Sequence, residues 1–273
     1  MPVALLDYDG YICKSFYANK EDLMDFENAE KILNDLVNAS IKKAAKYFNC
    51  KQSDVKVIKV VSGHSWKKEI YPSYKRTRKR DEFLGVYRGI ISGKKDVTIV
   101  QPLEADELLI MIADYMRAIN DNSYIIFSDD KDLRYYTERY CKINITEQVN
   151  EQDPQELVYD QLAQMLIGDK EDNINGVPKI GEKTANKLLS NCGYTLENVI
   201  NIFKEKEVDI DMTLRDLLLV VPLSDSYVKE SEYGYRVAHS VLNNKIPDEL
   251  DVFKAITSQL DFLNEKVNEV YKK

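Results

Sequence analysis

The sequence predicts an α/β protein with a mostly parallel sheet, followed by an all-helical region. Short apolar runs alternate with amphipathic helix patterns in the first half, which is the signature of parallel strands joined by helical crossovers. After about residue 155 only helical patterns remain, separated by short polar turns. The length of 273 residues is enough for a substantial core. No internal repeat or low-complexity linker separates the two parts, so we expect them to pack closely, with regions 1–154 and 155–273.

The first strand is predicted at Val3–Leu6, an apolar run that ends at Asp7. Further strands are expected at 55–61, 96–100, 124–128 and 142–145, with helices at 27–48 and 104–118. The second region is predicted to contain helices at 157–166, 182–190, 196–204, 213–220 and 248–270. In an open parallel sheet the ligand site lies at the carboxyl ends of the strands, so the residues that follow these strands are the first candidates.

Composition excludes several classes of site. The four cysteines are widely scattered and are expected to be buried free thiols, and the two histidines, His64 and His239, make a histidine-based triad or metal site improbable. No apolar run approaches membrane-spanning length, and the N-terminus lacks the pattern of a signal peptide. We therefore expect a soluble cytoplasmic protein without membrane association.

A local basic tract contrasts with the net charge of −8. The segment from Lys67 to Arg80 contains one acid, Glu69, and these cations: Lys67, Lys68, Lys75, Arg76, Arg78, Lys79 and Arg80. Trp66, Tyr71 and Tyr74 are interleaved with them. Such a mixture suits a single nucleic-acid strand, because rings stack on bases and cations follow the backbone. A plain solvated basic surface is the alternative interpretation.

Carboxylates occur at the predicted strand ends and helix starts. The candidates are Asp7, Glu104, Asp106, Glu107, Asp130, Asp132, Asp169 and Asp172. Each alone is also explained by a helix N-terminus or a turn. In the predicted sheet, however, acids from separate segments would share one rim, and that many like charges require cations. The pattern therefore predicts two-metal hydrolysis of a phosphodiester, with Mg²⁺ as the metal and Mn²⁺ as a substitute.

One stretch, 166–185, combines half of a metal site with a turn that can bind a phosphate. Asp169 and Asp172 are three residues apart and can turn two carboxylates to the same side. Gly176 and Gly181 then bracket a tight hairpin that opens a helix at Glu182, where backbone N–H groups can face a phosphate. An Asp pair alone is usually a helix start, and Gly-Val-Pro alone is usually a turn.

The stretch resembles the Gly-Asp-x-x-Asp-Asn-Ile-x-Gly-Val-x-x-Ile-Gly-x-Lys-Thr-Ala signature of the 5′ nuclease family, which includes flap endonucleases and 5′-3′ exonucleases. The resemblance extends to Leu5-Leu6-Asp7, to the segment 66–78 with its Tyr-Lys-x-x-Arg end, to 104–107 and to 128–133. It implies a PIN-like catalytic domain at 1–154 with a basic arch or gateway at 66–102. It also implies a helical DNA-binding region at 155–273 with a helix-hairpin-helix at 172–190.

The resemblance assigns roles residue by residue. Asp7, Asp106 and Asp130 are implied to be catalytic together with Lys67, which we expect at the scissile phosphate. All eight acids named above are implied metal ligands or their supports. K⁺ is implied at the helix-hairpin-helix. The implied DNA contacts are Lys67, Lys75, Arg78, Gly176, Val177, Lys179, Gly181 and Lys183.

The sequence departs from the family at the end of the second strand. Ser62 stands where another metal Asp is expected, and Tyr8, in place of a frequent Gly, is expected to crowd the metal rim. We predict a free-standing, monomeric 5′ nuclease acting on 5′-flap or 5′-ended DNA, with RNA–DNA junctions as a further substrate. Two alternatives stay open: a branched-DNA-binding protein with weak or no catalysis because of Ser62, and a PIN-type ribonuclease.

Overall fold

A six-stranded sheet forms the centre of the first half of the chain. The computed structural model describes residues 1–19, 24–77, 81–130, 133–144, 146, 148–221 and 232–273. The strands are β1 (Val3–Asp7), β2 (Lys56–Val60), β3 (Val97–Thr98), β4 (Tyr124–Phe127), β5 (Arg139–Cys141) and β6 (Asn150–Glu151). Their order is β3-β2-β1-β4-β5-β6, and only β6 pairs antiparallel. The predicted mostly parallel α/β fold is confirmed.

The strand register explains why the acids share an edge. Asp7 pairs with Val60 of β2, and Leu6 pairs with Phe127 of β4. The three central strands therefore end at the same level, and Ser62, Ser128 and the residues after them follow at one rim. β1 and β4 are almost entirely apolar and buried, as expected for strands that are covered on both faces.

Helices cover both faces of the sheet. Those of the first half are α1 (Tyr8–Ala18), α2 (Phe26–Tyr47), α3 (Lys67–Ile70), α4 (Glu82–Ser92), α5 (Ala105–Ala118) and α6 (Leu133–Tyr136). Helices α1, α2 and α4 contribute to the core on one face of the sheet. On the other face α5 packs against the sheet together with helices that come from the end of the chain.

The second half is helical, as predicted. Its helices are α7 (Pro154–Ile167), α8 (Glu182–Cys192), α9 (Leu196–Glu205), α10 (Ile210–Val220), α11 (Glu232–Leu242) and α12 (Glu249–Lys272). Four begin at side chains that accept a backbone N–H of the first turn: Asp153, Thr195, Asp209 and Asp248. Helices α7–α10 and the end of α12 share a separate core, whereas α11 and the start of α12 pack against α5.

Several elements differ from the prediction. Helices α1, α3, α4, α6 and α11 and strand β6 were not predicted, and the strand expected at 142–145 lies at Arg139–Cys141. Helix α1 follows Asp7 directly because Tyr11, Ile12 and Phe16 bury one helical face. Tyr8 is buried in that core, so the expectation that it crowds the rim is wrong. The cysteines are free, but only Cys141 is buried. No helix in the described part of the chain is both long and apolar enough to cross a membrane.

Candidate active site at the carboxyl edge of the sheet

Acids from four segments line one cavity at the carboxyl edge of the sheet. The cavity has a volume of about 760 Å³. Its acidic lining comprises Asp7, Asp9, Asp81, Glu104, Asp106, Asp129 and Asp130, and its cations are Lys68, Lys75 and Arg88. A smaller cavity beside it is lined by Asp106, Asp169, Asp172 and Lys67. Asp106 belongs to both cavities, so the strand-end acids and the Asp169–Asp172 loop meet around one residue.

Asp7 is fixed by the neighbouring strand. The Ser128 hydroxyl donates to Asp7 Oδ2 at 2.5 Å and accepts the backbone N–H of Asp130 at 2.9 Å. Burial raises the pKa of the Asp7 carboxyl from 3.8 to about 7, and the charges of Asp9 and Asp130 add to the rise, while the Ser128 hydrogen bond opposes it. A carboxyl with these like-charged neighbours favours either a proton or a cation.

Glu104 and Asp106 stand at the start of α5. Burial raises the pKa of Asp106 to about 8, and Glu104 adds to the rise. Glu104 accepts hydrogen bonds from the Tyr74 hydroxyl and from Lys75 Nζ, each at 2.8 Å. Burial raises the pKa of Glu104, but Lys67 and Lys75 outweigh that effect and lower it overall. The two acids therefore differ: nearby lysines keep Glu104 in its carboxylate form, whereas they do not fully offset the effect of burial on Asp106.

Glu107 and Lys67 form a buried pair behind the rim. The Trp66 indole N–H donates to both oxygens of Glu107, at 3.0 and 3.1 Å, and Lys67 Nζ lies 3.4 Å from Glu107 Oε1. Glu107 also accepts the Glu104 backbone N–H at 3.1 Å, which closes a capping box at the start of α5. Lys67 is only 3% exposed. The predicted metal and phosphate roles of this pair stay predictions, and its contacts position α5.

Gly168, with φ +73°, and Gly176 flank the Asp169–Asp172 loop and are in close contact with each other. Asp169 and Ile174 exchange backbone hydrogen bonds of 3.0 and 2.7 Å, which closes a tight loop. Gly176 has φ +61°, and a Cβ there would lie 2.5 Å from the Ile167 carbonyl carbon. Only glycine fits this contact. Asp169 and Asp172 are both buried, and Lys75 Nζ lies 3.6 Å from Asp172 Oδ2.

The Asp169–Asp172 loop is also tied to the base of the basic tract. The Asn173 amide donates to the Ser73 carbonyl at 2.8 Å, and the Thr77 hydroxyl donates to Asn173 Oδ1 at 3.2 Å. The Lys75 backbone N–H donates to the Asp172 carbonyl at 3.2 Å. Sequence reasoning did not single out Asn173 as a functional residue, although it belongs to the motif.

The predicted DNA-binding residues of segment 176–183 include both buried and exposed ones. Gly176 and Val177 are buried, whereas Lys179, Gly181 and Lys183 are exposed on the turn and on the first residues of α8. Gly181 is the N-cap of α8 and supplies no side-chain cap. A Cβ at Gly181 would meet no atom within 4 Å, so this surface is open to a ligand. The exposed three fit the predicted DNA contacts, whereas the buried two shape the turn.

Two predicted site residues cannot be placed, and two aromatic residues of the basic tract have a different role from the predicted one. Asp132 and Arg78 fall outside the described residues. Trp66 and Tyr74 are 5% and 3% exposed, so the expectation that they stack on bases of a single strand is wrong. Their rings are used to build the site instead, because Trp66 holds Glu107 and Tyr74 holds Glu104.

Ser62 takes part in a network that the sequence did not reveal. Its hydroxyl accepts the Ala105 backbone N–H at 3.0 Å and so caps α5. Its own backbone N–H donates to Asp9 Oδ2 at 2.8 Å, and its carbonyl accepts from Arg88 Nη2 at 2.6 Å. Asp9 therefore brings a carboxylate to the end of β2, where the expected Asp is missing. Asp9 thus links Ser62 to Arg88.

The donor set of the two cavities fits a hard divalent cation. The acids present only oxygen ligands, the kind that Mg²⁺ and Mn²⁺ prefer, and burial leaves Asp7 and Asp106 in need of positive charge. Within the described residues no three acids yet lie close enough to form a ready metal site. Lys75, which bridges Glu104 and Asp172, supplies positive charge between the segments.

The chain is similar in sequence to known nucleases and DNA polymerases. Residues 154–226 match the family model described as "5'-3' exonuclease, C-terminal SAM fold". The chain is 30% identical over 205 residues to DNA polymerase I of Borreliella burgdorferi, covering 67% of this chain and 21% of the relative. It is 32% identical over 155 residues to flap endonuclease Xni of Aeromonas salmonicida, covering 50% and 57%. The chain thus spans about a fifth of the polymerase and just over half of Xni.

A solved structure shows the same fold over the whole chain. The D15 flap endonuclease of bacteriophage T5, in a complex with DNA and metal ions, aligns with a TM-score of 0.60 and 16% identity and covers 99% of both chains. The sequence and structure matches together confirm the resemblance inferred from the motifs, and they support membership of the 5′ nuclease family.

Proposed function

We propose that the protein is a metal-dependent 5′ nuclease that hydrolyses phosphodiester bonds in branched or 5′-ended DNA. The observation that carries the proposal is the meeting of Asp7, Asp106 and Asp130 in one cavity, with Asp169 and Asp172 in the cavity beside it. The relatives are named as a flap endonuclease and as DNA polymerase I, and the T5 enzyme was solved with DNA and metal ions. These names support a nuclease over a PIN-type ribonuclease or a catalytically silent DNA-binding protein.

The proposed catalytic part is region 1–154, in which two Mg²⁺ ions, or Mn²⁺ in their place, would bind. Asp7, Asp106 and Asp130 would hold one ion, and Asp106, Asp169 and Asp172 the other, with Glu104, Glu107 and Asp132 in support. When bound, such ions activate water and stabilise charge on the scissile phosphate. Ser128 orients Asp7, and Tyr74 and Lys75 orient Glu104. Lys75 and Arg78 are proposed to bind phosphates of the entering strand. Lys67 is buried against Glu107 in the free protein, so its proposed contact with the scissile phosphate requires that pair to open.

The proposed DNA-binding part is region 155–273. The exposed N-terminus of α8, with Lys179, Gly181 and Lys183, offers backbone N–H groups and cations to a duplex phosphate. K⁺ at this turn, a monomeric state, and RNA–DNA junctions as additional substrates belong to the same proposal. Gly168 and Gly176 are in close backbone contact, so the proposed duplex-binding turn lies directly beside the Asp169–Asp172 loop.

Cleavage of a 5′-flap duplex tests the proposal. The purified protein is incubated with a labelled flap in Mg²⁺, beside Asp106→Asn and Asp130→Asn variants. We expect cleavage by the wild type that EDTA abolishes, and a loss of at least about a hundredfold in both variants, as in sites where one electrostatic group is removed. Flap binding without any cleavage would favour the DNA-binding alternative. Equal cleavage by all three proteins would place the chemistry elsewhere.

A further inference from the structure

Arg88 forms an unexpected cationic feature of the large cavity. It lies on α4, and its side chain is 40% exposed and lines the cavity together with Asp7, Asp106 and Asp130. Neither the family motifs nor the basic tract 67–80 includes it. Its guanidinium is held by two partners: Nε donates to Asp9 Oδ1 at 2.6 Å, and Nη2 donates to the Ser62 carbonyl at 2.6 Å.

These contacts fix the guanidinium and leave part of it free. A second contact from Nη2 to Asp9 Oδ2 is long, at 3.4 Å. Within the part of the chain that the structure describes, Nη1 has no hydrogen-bond partner. Guanidinium donors are arranged as a planar fork that matches the oxygens of a phosphate. The fork is thus held in place with donors left for a ligand.

The charge balance of the cavity indicates what that ligand is. Seven acids and three cations line it, and the cations are Lys68, Lys75 and Arg88. Lys75 is engaged by Glu104 and Asp172 on the helical side. Arg88 is the cation that α4 contributes to this lining, so an anionic strand that enters the cavity along α4 meets its guanidinium.

We propose that Arg88 binds a phosphodiester of the strand that enters the cavity, and that Asp9 and the Ser62 backbone hold it ready for that contact. This inference rests on the proposed nuclease function, since it assigns a substrate contact to the same cavity. Asp9 neutralises Arg88 in the free protein, and a phosphodiester oxygen takes over part of that role in the complex.

Binding measured without metal tests the assignment independently of cleavage. Fluorescence anisotropy in EDTA compares a 5′-flap duplex with the same duplex lacking the flap, over a series of salt concentrations. The variants are Arg88→Gln, Arg88→Lys and Asp9→Asn. Lys94→Gln serves as the matched control, because Lys94 lies just beyond α4 and pairs with Glu30 on α2, away from the cavity. Thermal unfolding of each variant checks the fold.

We expect Arg88→Gln to weaken flap binding roughly tenfold and to reduce its salt slope by about 1, with unchanged binding of the flap-free duplex. Arg88→Lys recovers only part of the affinity, because an ammonium lacks the planar fork. Asp9→Asn binds the flap as well as or better than the wild type, because it releases Arg88. Lys94→Gln behaves as the wild type.

The inference is overturned if Arg88→Gln and Asp9→Asn weaken flap binding equally, since the pair would then be a structural bridge between α1 and α4. It is also overturned if Arg88→Gln weakens both DNA substrates alike. If the wild type binds in this pattern but cleaves nothing in Mg²⁺, the nuclease proposal fails and the Arg88 assignment stands.

Discussion

Replacing Asp7 by Asn should stabilise the metal-free protein at alkaline pH. The folded state raises the pKa of Asp7 from 3.8 to about 7, mainly by burial. An acid with a raised pKa in the folded state costs stability progressively as pH rises from the unfolded pKa to the folded pKa, and the full cost remains above it. At about 1.4 kcal/mol for each pKa unit, the cost reaches an upper limit of about 4 kcal/mol above pH 7.

Asn removes that cost and keeps the hydrogen bond, because its carbonyl oxygen can accept from the Ser128 hydroxyl. The assay is urea unfolding of wild type and variant in EDTA at pH 5 and pH 8.5. We expect the stability of the variant relative to the wild type to rise by about 2 to 3 kcal/mol between these values, since only the wild type ionises in this range. Saturating Mg²⁺ should reverse the order, because only the wild type keeps the carboxylate ligand. An equal difference at both pH values would refute the raised pKa of the buried Asp7 carboxyl.

Three further predictions concern the site. Gly176→Ala should lower the free energy of unfolding in urea by at least about 2 kcal/mol, because φ is +61° and the added Cβ would meet the backbone of Ile167. Gly181→Ala should change the free energy of unfolding by no more than about 0.5 kcal/mol but weaken duplex binding. Equal losses of stability in the two variants would contradict the difference between these two glycine positions. Asn173→Ala should cost about 1 to 2 kcal/mol and speed proteolysis near Ser73, because two hydrogen bonds are lost; an unchanged cleavage rate would argue against this tie. Mg²⁺ binding should release protons near pH 7, since the pKa of Asp7 is about 7 and its carboxyl must ionise to bind the metal. Calorimetry in buffers of different ionisation enthalpy measures this release. Mg²⁺ binding without proton release would contradict the prediction.

The sequence predicts most of what depends on local pattern. Apolar runs such as 124–127 form the central strands, and the acids that end β1 and follow β4 reach one rim because the parallel register brings the strand ends level. Helix α8 starts at Glu182 as predicted, whereas α7 starts at Pro154, three residues before the predicted start at 157. These features need only spacing and residue type.

Long-range pairing is what the sequence does not predict. Trp66 and Tyr74 are typical of a nucleic-acid surface by composition, but Glu107 and Glu104 draw their polar atoms inward. The Asp9–Arg88 pair joins residues 79 positions apart through a helix, α4, that was not predicted. The pairing depends on how α1 and α4 pack over the sheet, and a single sequence carries no signal of that packing.

The most direct test of the account is the position of bound metal. Crystals equilibrated with Mn²⁺ and measured near its absorption edge should show two anomalous peaks in the paired cavities, one beside Asp7, Asp106 and Asp130 and the other beside Asp169 and Asp172. Absence of both peaks at saturating Mn²⁺, or peaks only at acids outside these cavities, would contradict the claim that the separate acids form a single metal-binding site.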